Sequence, residues 1–167
     1  MSRLPVSSEL SKIAKAITRS AGRGILVGGA VRDHFMDRII SKDLDVEVFG
    51  LSMEELESVL KQFGNIHAVG KSFGVLKLKT TTAEYDFSLP RREQKTGKGH
   101  RGFKIITDPA MSFKEAASRR DFTVNSMGYD LLENTLLDPF EGIEDIKNKK
   151  LRHVGPAFAE DPLRVYR

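Results

Sequence analysis

The 167-residue chain contains no cysteine and no tryptophan. Without cysteine there is no disulfide, no thiolate metal centre and no cysteine nucleophile, which is compatible with a reducing compartment. No run of about 18 consecutive apolar residues occurs, which excludes a membrane-spanning helix, and residues 1–10 lack the apolar block of a secretory signal. A cytoplasmic site of action with no membrane partner is therefore expected. None of the four histidines has a partner at metal-ligand spacing, so zinc is not expected. There is neither a Gly-x-Ser-x-Gly elbow nor a Walker-type glycine-lysine loop, which argues against acyl hydrolase and P-loop NTPase chemistry.

What is present is one domain's worth of chain, 40% hydrophobic and 30% charged, with a net charge of +4 and a pI near 9.3. That balance suits a polyanionic partner without requiring one. The densest chemistry lies between Gly28 and Asp45. Gly28 and Gly29 follow the strand-like Gly24-Ile25-Leu26-Val27 and leave bare backbone N–H groups at the mouth of a helix, where a phosphate is favoured. Arg32 can add a fork of charged donors. In Asp43-Leu44-Asp45 the two carboxylates stand at i and i+2, so on a strand they point to the same side and together call for a cation. Hard oxygen ligands suit Mg²⁺, and a pair of such ions is the arrangement that clamps attacking and leaving oxygens in phosphoryl or nucleotidyl transfer. Each signal alone also describes an ordinary turn or a half-exposed strand. In this order they support each other, because nucleotidyl transfer needs both a phosphate cradle and a metal pair.

Periodicity predicts a helix over 7–21, a strand through Val27, a helix over 30–36 and a strand over 44–49. A helix capped by Ser52 follows, with Met53, Leu56, Val59, Leu60 and Phe63 on one side and Gly64 ending it. Strands are expected over 65–69, 75–80 and 84–89, the last two joined as a hairpin near Thr81-Thr82. Residues 90–104 carry Arg91, Arg92, Lys95, Lys98, Arg101 and Lys104 among glycines and read as a mobile basic loop. Beyond it come a helix over 112–119, strands over 126–129 and 135–137, a turn over 138–142, a helix over 143–148 and a strand over 151–154. Asp161 and Pro162 start a further helix that is cut at Arg167, which suggests a fragment.

Three later groups carry chemistry. Asp86, in Tyr85-Asp86-Phe87, either faces solvent or, if its strand lies beside that of Asp43, serves as a base or completes the coordination of a cation. Arg119 to Asn125 set two guanidinium groups and a carboxylate beside a hydroxyl and an amide. This is either a capped helix end or a clamp in which Arg120 holds phosphate or ribose oxygens and Asp121 accepts from sugar hydroxyls. Asp161 and Arg164 share one helix face, as a surface ion pair or as an acceptor and donor reading the edge of a nucleobase.

Taken together, these residues resemble the head domain of the class II tRNA nucleotidyltransferases, the CCA-adding enzymes, and of the bacterial poly(A) polymerases, in the polymerase beta nucleotidyltransferase superfamily. Gly28 to Asp33 with Asp43 and Asp45 looks like the first motif, and Arg119 to Asn125 like the second. Asp138-Pro139-Phe140 with Gly142 looks like the third, and Glu160 to Arg164 like the base-reading fourth. Ser126 departs from the usual alanine. The resemblance implies an α/β (α+β) fold, with a mixed nucleotidyltransferase-type sheet flanked by helices as a head domain over 1–155 and the start of a helical neck over 156–167. It implies that Asp43 and Asp45 hold two Mg²⁺, with Asp86 as the third catalytic carboxylate. Gly28, Gly29 and Arg32 would bind the triphosphate, Arg120 and Asp121 the phosphate and ribose, and Asp161, Arg164 and Arg167 the incoming base and nucleotide. The basic loop over 90–104 is similar to one that helps switch nucleotide preference. The expected reaction joins CMP or AMP, from CTP or ATP, to the 3′ end of tRNA without a nucleic-acid template. A poly(A) polymerase, an enzyme adding only CC or only A, a non-catalytic nucleotide- or RNA-binding module and a small-molecule nucleotidyltransferase are the alternatives.

Overall fold

The computed structural model describes residues 3–40, 43–70, 74–95, 103–156 and 158. Helix α1 (Ser8–Arg19) begins where the Ser7 side chain accepts from the Leu10 N–H, and it buries Leu10, Ile13, Ala14 and Ile17 along one stripe. Strand β1 (Arg23–Val27) leads through Gly28 into the short helix α2 (Gly29–Phe35), and β2 (Leu44–Phe49) follows. Helix α3 (Met53–Leu60) opens with a reciprocal capping box between Ser52 and Glu55 and buries Leu56, Val59 and Leu60. Strands β3 (Asn65–Gly70), β4 (Val75–Lys79) and β5 (Glu84–Ser88) complete the first half.

The second half holds β6 (Arg91–Lys95), β7 (Phe103–Thr107), α4 (Phe113–Ala117), a 3-10 turn (Thr123–Asn125), β8 (Gly128–Asp130), β9 (Thr135–Leu137) and α5 (Gly142–Lys147). Seven strands form one mixed sheet in the order β3-β4-β5-β2-β1-β8-β9, in which β2 and β5 run parallel and the other neighbours are antiparallel.

The two faces of this sheet differ. One carries Leu26, Val46, Val48, Leu76, Leu78 and Phe87, all buried against α1 and α3 in the main core. The other is apolar only at one end, where Ile25, Val27 and Phe49 meet Met111, Phe113 and Ala116. Alternation along each strand leaves polar residues on the remainder of that second face. Among the described residues no helix is long and apolar enough to cross a membrane.

Three expectations are corrected. The stretch read as a basic loop over 90–104 contains β6, and with β7 it forms a separate antiparallel hairpin; residues 96–102, with Lys98 and Arg101, lie outside the described residues. Its root is tied down by Arg92 Nε to Asp108 Oδ2 at 2.8 Å and by Arg119 Nη1 to the Arg91 carbonyl at 2.9 Å. Residues 151–154 make a single bridge, Phe122 to His153, because their partner segment turns immediately into the 3-10 conformation. That turn also shifts the strand expected over 126–129 to β8.

Candidate active site

Asp45 and Asp86 are register partners on the parallel pair β2 and β5, so their side chains emerge side by side on the polar part of the second face. The same row runs outward through Lys77, the partner of Asp86 on β4, and inward through Val27 to Gly128. Lys77 Nζ lies 3.2 Å from Asp86 Oδ1. Asp43, exposed and immediately before β2, is two residues from Asp45 and adds to the same negative field. The Asp45 carboxyl is pushed above the usual carboxylate range, first by loss of water around its charge and then by Asp86; Asp43 reinforces the shift while Arg120 and Lys77 oppose it. Asp45 is exposed as a whole residue. Its Oδ2 lies 3.5 Å from the point a Cβ on Gly28 would occupy, with Arg120 Nη1 at 4.0 Å from that point.

Gly28 has φ of +75°, a conformation that L side chains rarely adopt, and this bends the chain from β1 into α2 beside Asp45. The guanidinium of Arg32 folds back over Gly29, with Nη2 3.4 Å from where a Cβ would sit there. It is fixed on two sides. Nε donates to Asp33 Oδ1 at 2.8 Å and Nη1 donates to Asn125 Oδ1 at 2.8 Å. The Asn125 amide in turn donates to Asp121 Oδ1 at 3.0 Å, and the same oxygen accepts from the Phe122 N–H at 2.7 Å. Asp121 is only 7% exposed, so the structure shows this residue organising the turn from within.

Arg120 leaves the end of α4 toward β2, and its Nη2 lies 3.5 Å from Glu47 Oε2. Glu47, Asp45 and Asp43 stand at alternate positions and therefore share one face. Beneath this layer Thr123 donates to Asp145 Oδ2 at 2.5 Å and Arg152 Nε donates to the same oxygen at 2.9 Å, which ties the 3-10 turn to α5. The third motif is a cap: Asp138 accepts from the N–H groups of Gly142 and Ile143 at 2.7 and 2.9 Å.

The structure thus gathers Gly28, Gly29, Arg32, Asp43, Asp45, Asp86, Arg120 and Asp121 around one turn. Asp161, Arg164 and Arg167 lie outside the described residues, as does most of the stretch read as the start of a neck. Glu47 and Asn125 were not singled out as site residues. Glu47 extends the alternation of Asp43 and Asp45 by one more step, and that was its only signal. Among the described residues no group of three or more acidic or histidine side chains forms a ready cage for a metal ion. The donor set still fits Mg²⁺, which is held by one or two carboxylates completed by water and phosphate oxygens, and whose charge would relieve the crowding at Asp45.

Residues 25–152 match the family described as the poly A polymerase head domain. The chain belongs to that family. It is 45% identical over 142 residues to the Multifunctional CCA protein of Stenotrophomonas maltophilia (strain R551-3), an overlap of 85% of this chain and 33% of that protein. The counterpart from Xylella fastidiosa (strain 9a5c) is 42% identical over 145 residues, 87% of this chain and 33% of that protein. The chain thus spans about a third of the length of the curated relatives it matches. Among solved structures it resembles the Bacillus stearothermophilus CCA-adding enzyme in complex with CTP, with a TM-score of 0.76 and 28% identity over 95% of this chain and 37% of that one. A tRNA nucleotidyltransferase complexed with a primer tRNA and an incoming ATP analog gives a TM-score of 0.71 and 30% identity over 92% of this chain and 42% of that one. The mixed sheet flanked by helices is the nucleotidyltransferase fold of those enzymes.

Proposed function

We propose that this chain is the catalytic head of a template-independent RNA nucleotidyltransferase that adds CMP and AMP, from CTP and ATP, to the 3′ end of tRNA. In this reading residues 1–155 are the head, 156–167 begin a helical neck, and the enzyme works in the cytoplasm. The observation that carries it is the register match of Asp45 and Asp86 beside the Gly28 turn.

The chemistry follows from that geometry. The terminal 3′-hydroxyl oxygen of the RNA attacks the α-phosphorus, a new P–O bond forms, the bond to the bridging oxygen of the β-phosphate breaks, and pyrophosphate leaves. Asp43 and Asp45 would hold two Mg²⁺, which when bound supply Lewis acidity and neutralise charge on the phosphates. Asp86 accepts the proton of the attacking hydroxyl. Gly28 and Gly29 offer backbone N–H groups to the triphosphate without side chains in the way. Arg32, held rigid by Asp33 and Asn125, adds a charged fork, and rigidity matters because a positioned donor costs no reorganisation during reaction. Arg120 reaches phosphate or ribose oxygens, and Asp121 sets the ribose side of the pocket through Asn125 and the Phe122 N–H. Asp161 and Arg164 read the base, with Arg167 as a further nucleotide contact.

Incubating the full-length enzyme that carries this head with tRNAs ending before, within and after the CC step, and with an unrelated RNA, then sequencing the added tails, tests the assignment. CCA completion on tRNA alone is expected, and Asp43→Ala with Asp45→Ala should abolish it. Homopolymeric A tails on the unrelated RNA would instead favour a poly(A) polymerase, the activity after which the matched family is described. Nucleotide binding without any turnover would leave a non-catalytic module.

A further inference from the structure

Glu47 is a carboxylate only 8% exposed on the same strand face as Asp45, at the border between the polar row and the apolar patch of Ile25 and Phe49. Its register partners are Ile25 on one side and Ser88 on the other. A charge in such a place is retained only if it is balanced, and the balancing group is the guanidinium of Arg120. That guanidinium faces two carboxylates. Its Nη2 arm is 3.5 Å from Glu47 Oε2, while its Nη1 arm lies by the Gly28 turn, next to the spot approached by Asp45 Oδ2.

We infer that Glu47 is a positioning residue: it tethers the Nη2 arm of Arg120, keeping Nη1 directed over the Gly28 turn and preventing the guanidinium from closing onto Asp45. The inference rests on the proposed function, in which Arg120 serves the nucleotide and Asp45 serves a cation. Glu47 itself touches neither. Without it, the carboxylate that shares the Gly28 corner with the guanidinium is Asp45, and an arginine paired there displaces the cation and withdraws a donor from the triphosphate. The tether thus divides one strand between two tasks, Asp45 for a divalent ion and Glu47 for the arginine.

The test is Mn²⁺ binding to the 167-residue chain, followed by electron paramagnetic resonance of free ion, together with CTP binding by calorimetry. Glu47→Gln keeps the shape and removes the charge, and it is expected to weaken Mn²⁺ and CTP binding by about tenfold each, equivalent to about 1.4 kcal/mol. Glu47→Asp should recover most of the Mn²⁺ affinity. The pair Glu47→Gln with Arg120→Gln should bind Mn²⁺ as Arg120→Gln alone does, since a tether has no effect once the tethered group is gone. Wild-type Mn²⁺ affinity in Glu47→Gln overturns the inference, as does a melting temperature that falls while ion binding is unchanged. If Glu47→Gln alone does not fold, a difference in Mn²⁺ affinity between the double variant and Arg120→Gln overturns it instead. A wild-type chain with no Mn²⁺ site sensitive to Asp45→Asn defeats the proposed function itself, and the tether with it.

Discussion

Arg32 donates from Nη1 to Asn125 Oδ1 at 2.8 Å, joining positions 93 residues apart in the chain, and the other end of the same amide donates to Asp121. The amide presents its oxygen to the arginine and its N–H to the acid at once. Asn125→Ala should therefore loosen both contacts. A lost hydrogen bond to a charged group is worth about 1.5–3 kcal/mol, so kcat/KM for CTP is expected to fall roughly ten- to hundredfold, mainly through KM. Asn125→Asp should be worse, because it turns a carboxylate toward Asp121. Steady-state incorporation kinetics on the three proteins checks the order.

Asp45 sits where its charge is disfavoured, first by loss of water and then by Asp86 and Asp43. An acid whose folded pKa is raised opposes folding at neutral pH, and that opposition fades as pH falls through the folded value toward the ordinary carboxylate pKa of about 3.9. Asp45→Asn is expected to abolish nucleotide incorporation yet raise the melting temperature of the metal-free protein slightly at neutral pH, solvent screening at this exposed residue keeping the gain small. The advantage should vanish in acid. Thermal melts in chelator across the pH range measure it, and an equal or lower melting temperature at neutral pH would sink the prediction.

Much of this site was legible because local rules and tertiary needs agree there. Acids and aliphatic residues alternate from Asp43 to Val48, and the observed bounds of β2, Leu44–Phe49, coincide with the expected ones. The same holds for the Ser52 cap of α3, where Glu55 three residues on completes a capping box. The β6 and β7 hairpin was not legible, since the charged, glycine-rich composition between Arg91 and Lys104 imitates a loop. Nor was the tie between Arg120 and Glu47. They are 73 positions apart and meet only because α4 ends over β2. Asp121 shows the limit from the other side: its residue type suggested a ligand contact, whereas its Oδ1 turns inward to Phe122 and Asn125.

Asp145 anchors the layer below the site. Its carboxyl is held below the usual range by the Thr123 hydroxyl and by Arg152, against the cost of burial. A depressed acid stabilises the fold above its unfolded pKa and loses that contribution as pH falls through the folded value. Asp145→Asn should thus cost about 1–3 kcal/mol at neutral pH, with the gap to wild type closing below about pH 4. Urea denaturation at neutral and acid pH supplies both numbers. Thr123→Val removes the hydroxyl that donates to Asp145 Oδ2 and should lower stability in the same sense, without touching the carboxylates of the upper layer.

Gly28 couples the turn to the acid beside it, and a single methyl separates the two effects of replacing it. Its φ of +75° with ψ of −145° lies in a region that is essentially glycine's own, and holding an L-residue in such a sparsely populated conformation costs about 1–3 kcal/mol. The space itself is open enough: the added Cβ would meet Asp45 Oδ2 at 3.5 Å and Arg120 Nη1 at 4.0 Å, both ordinary contacts. Gly28→Ala should therefore fold, with stability lowered by about 1–3 kcal/mol, while placing a methyl where the Asp45 carboxylate and the arginine converge. If this corner receives the triphosphate, KM for CTP and ATP should rise by the same factor for both, because the methyl stands by the phosphates and not by the base. Denaturation melts and parallel kinetics with the two triphosphates separate the terms. A change in CTP preference over ATP would move the role of Gly28 from phosphate binding to base selection.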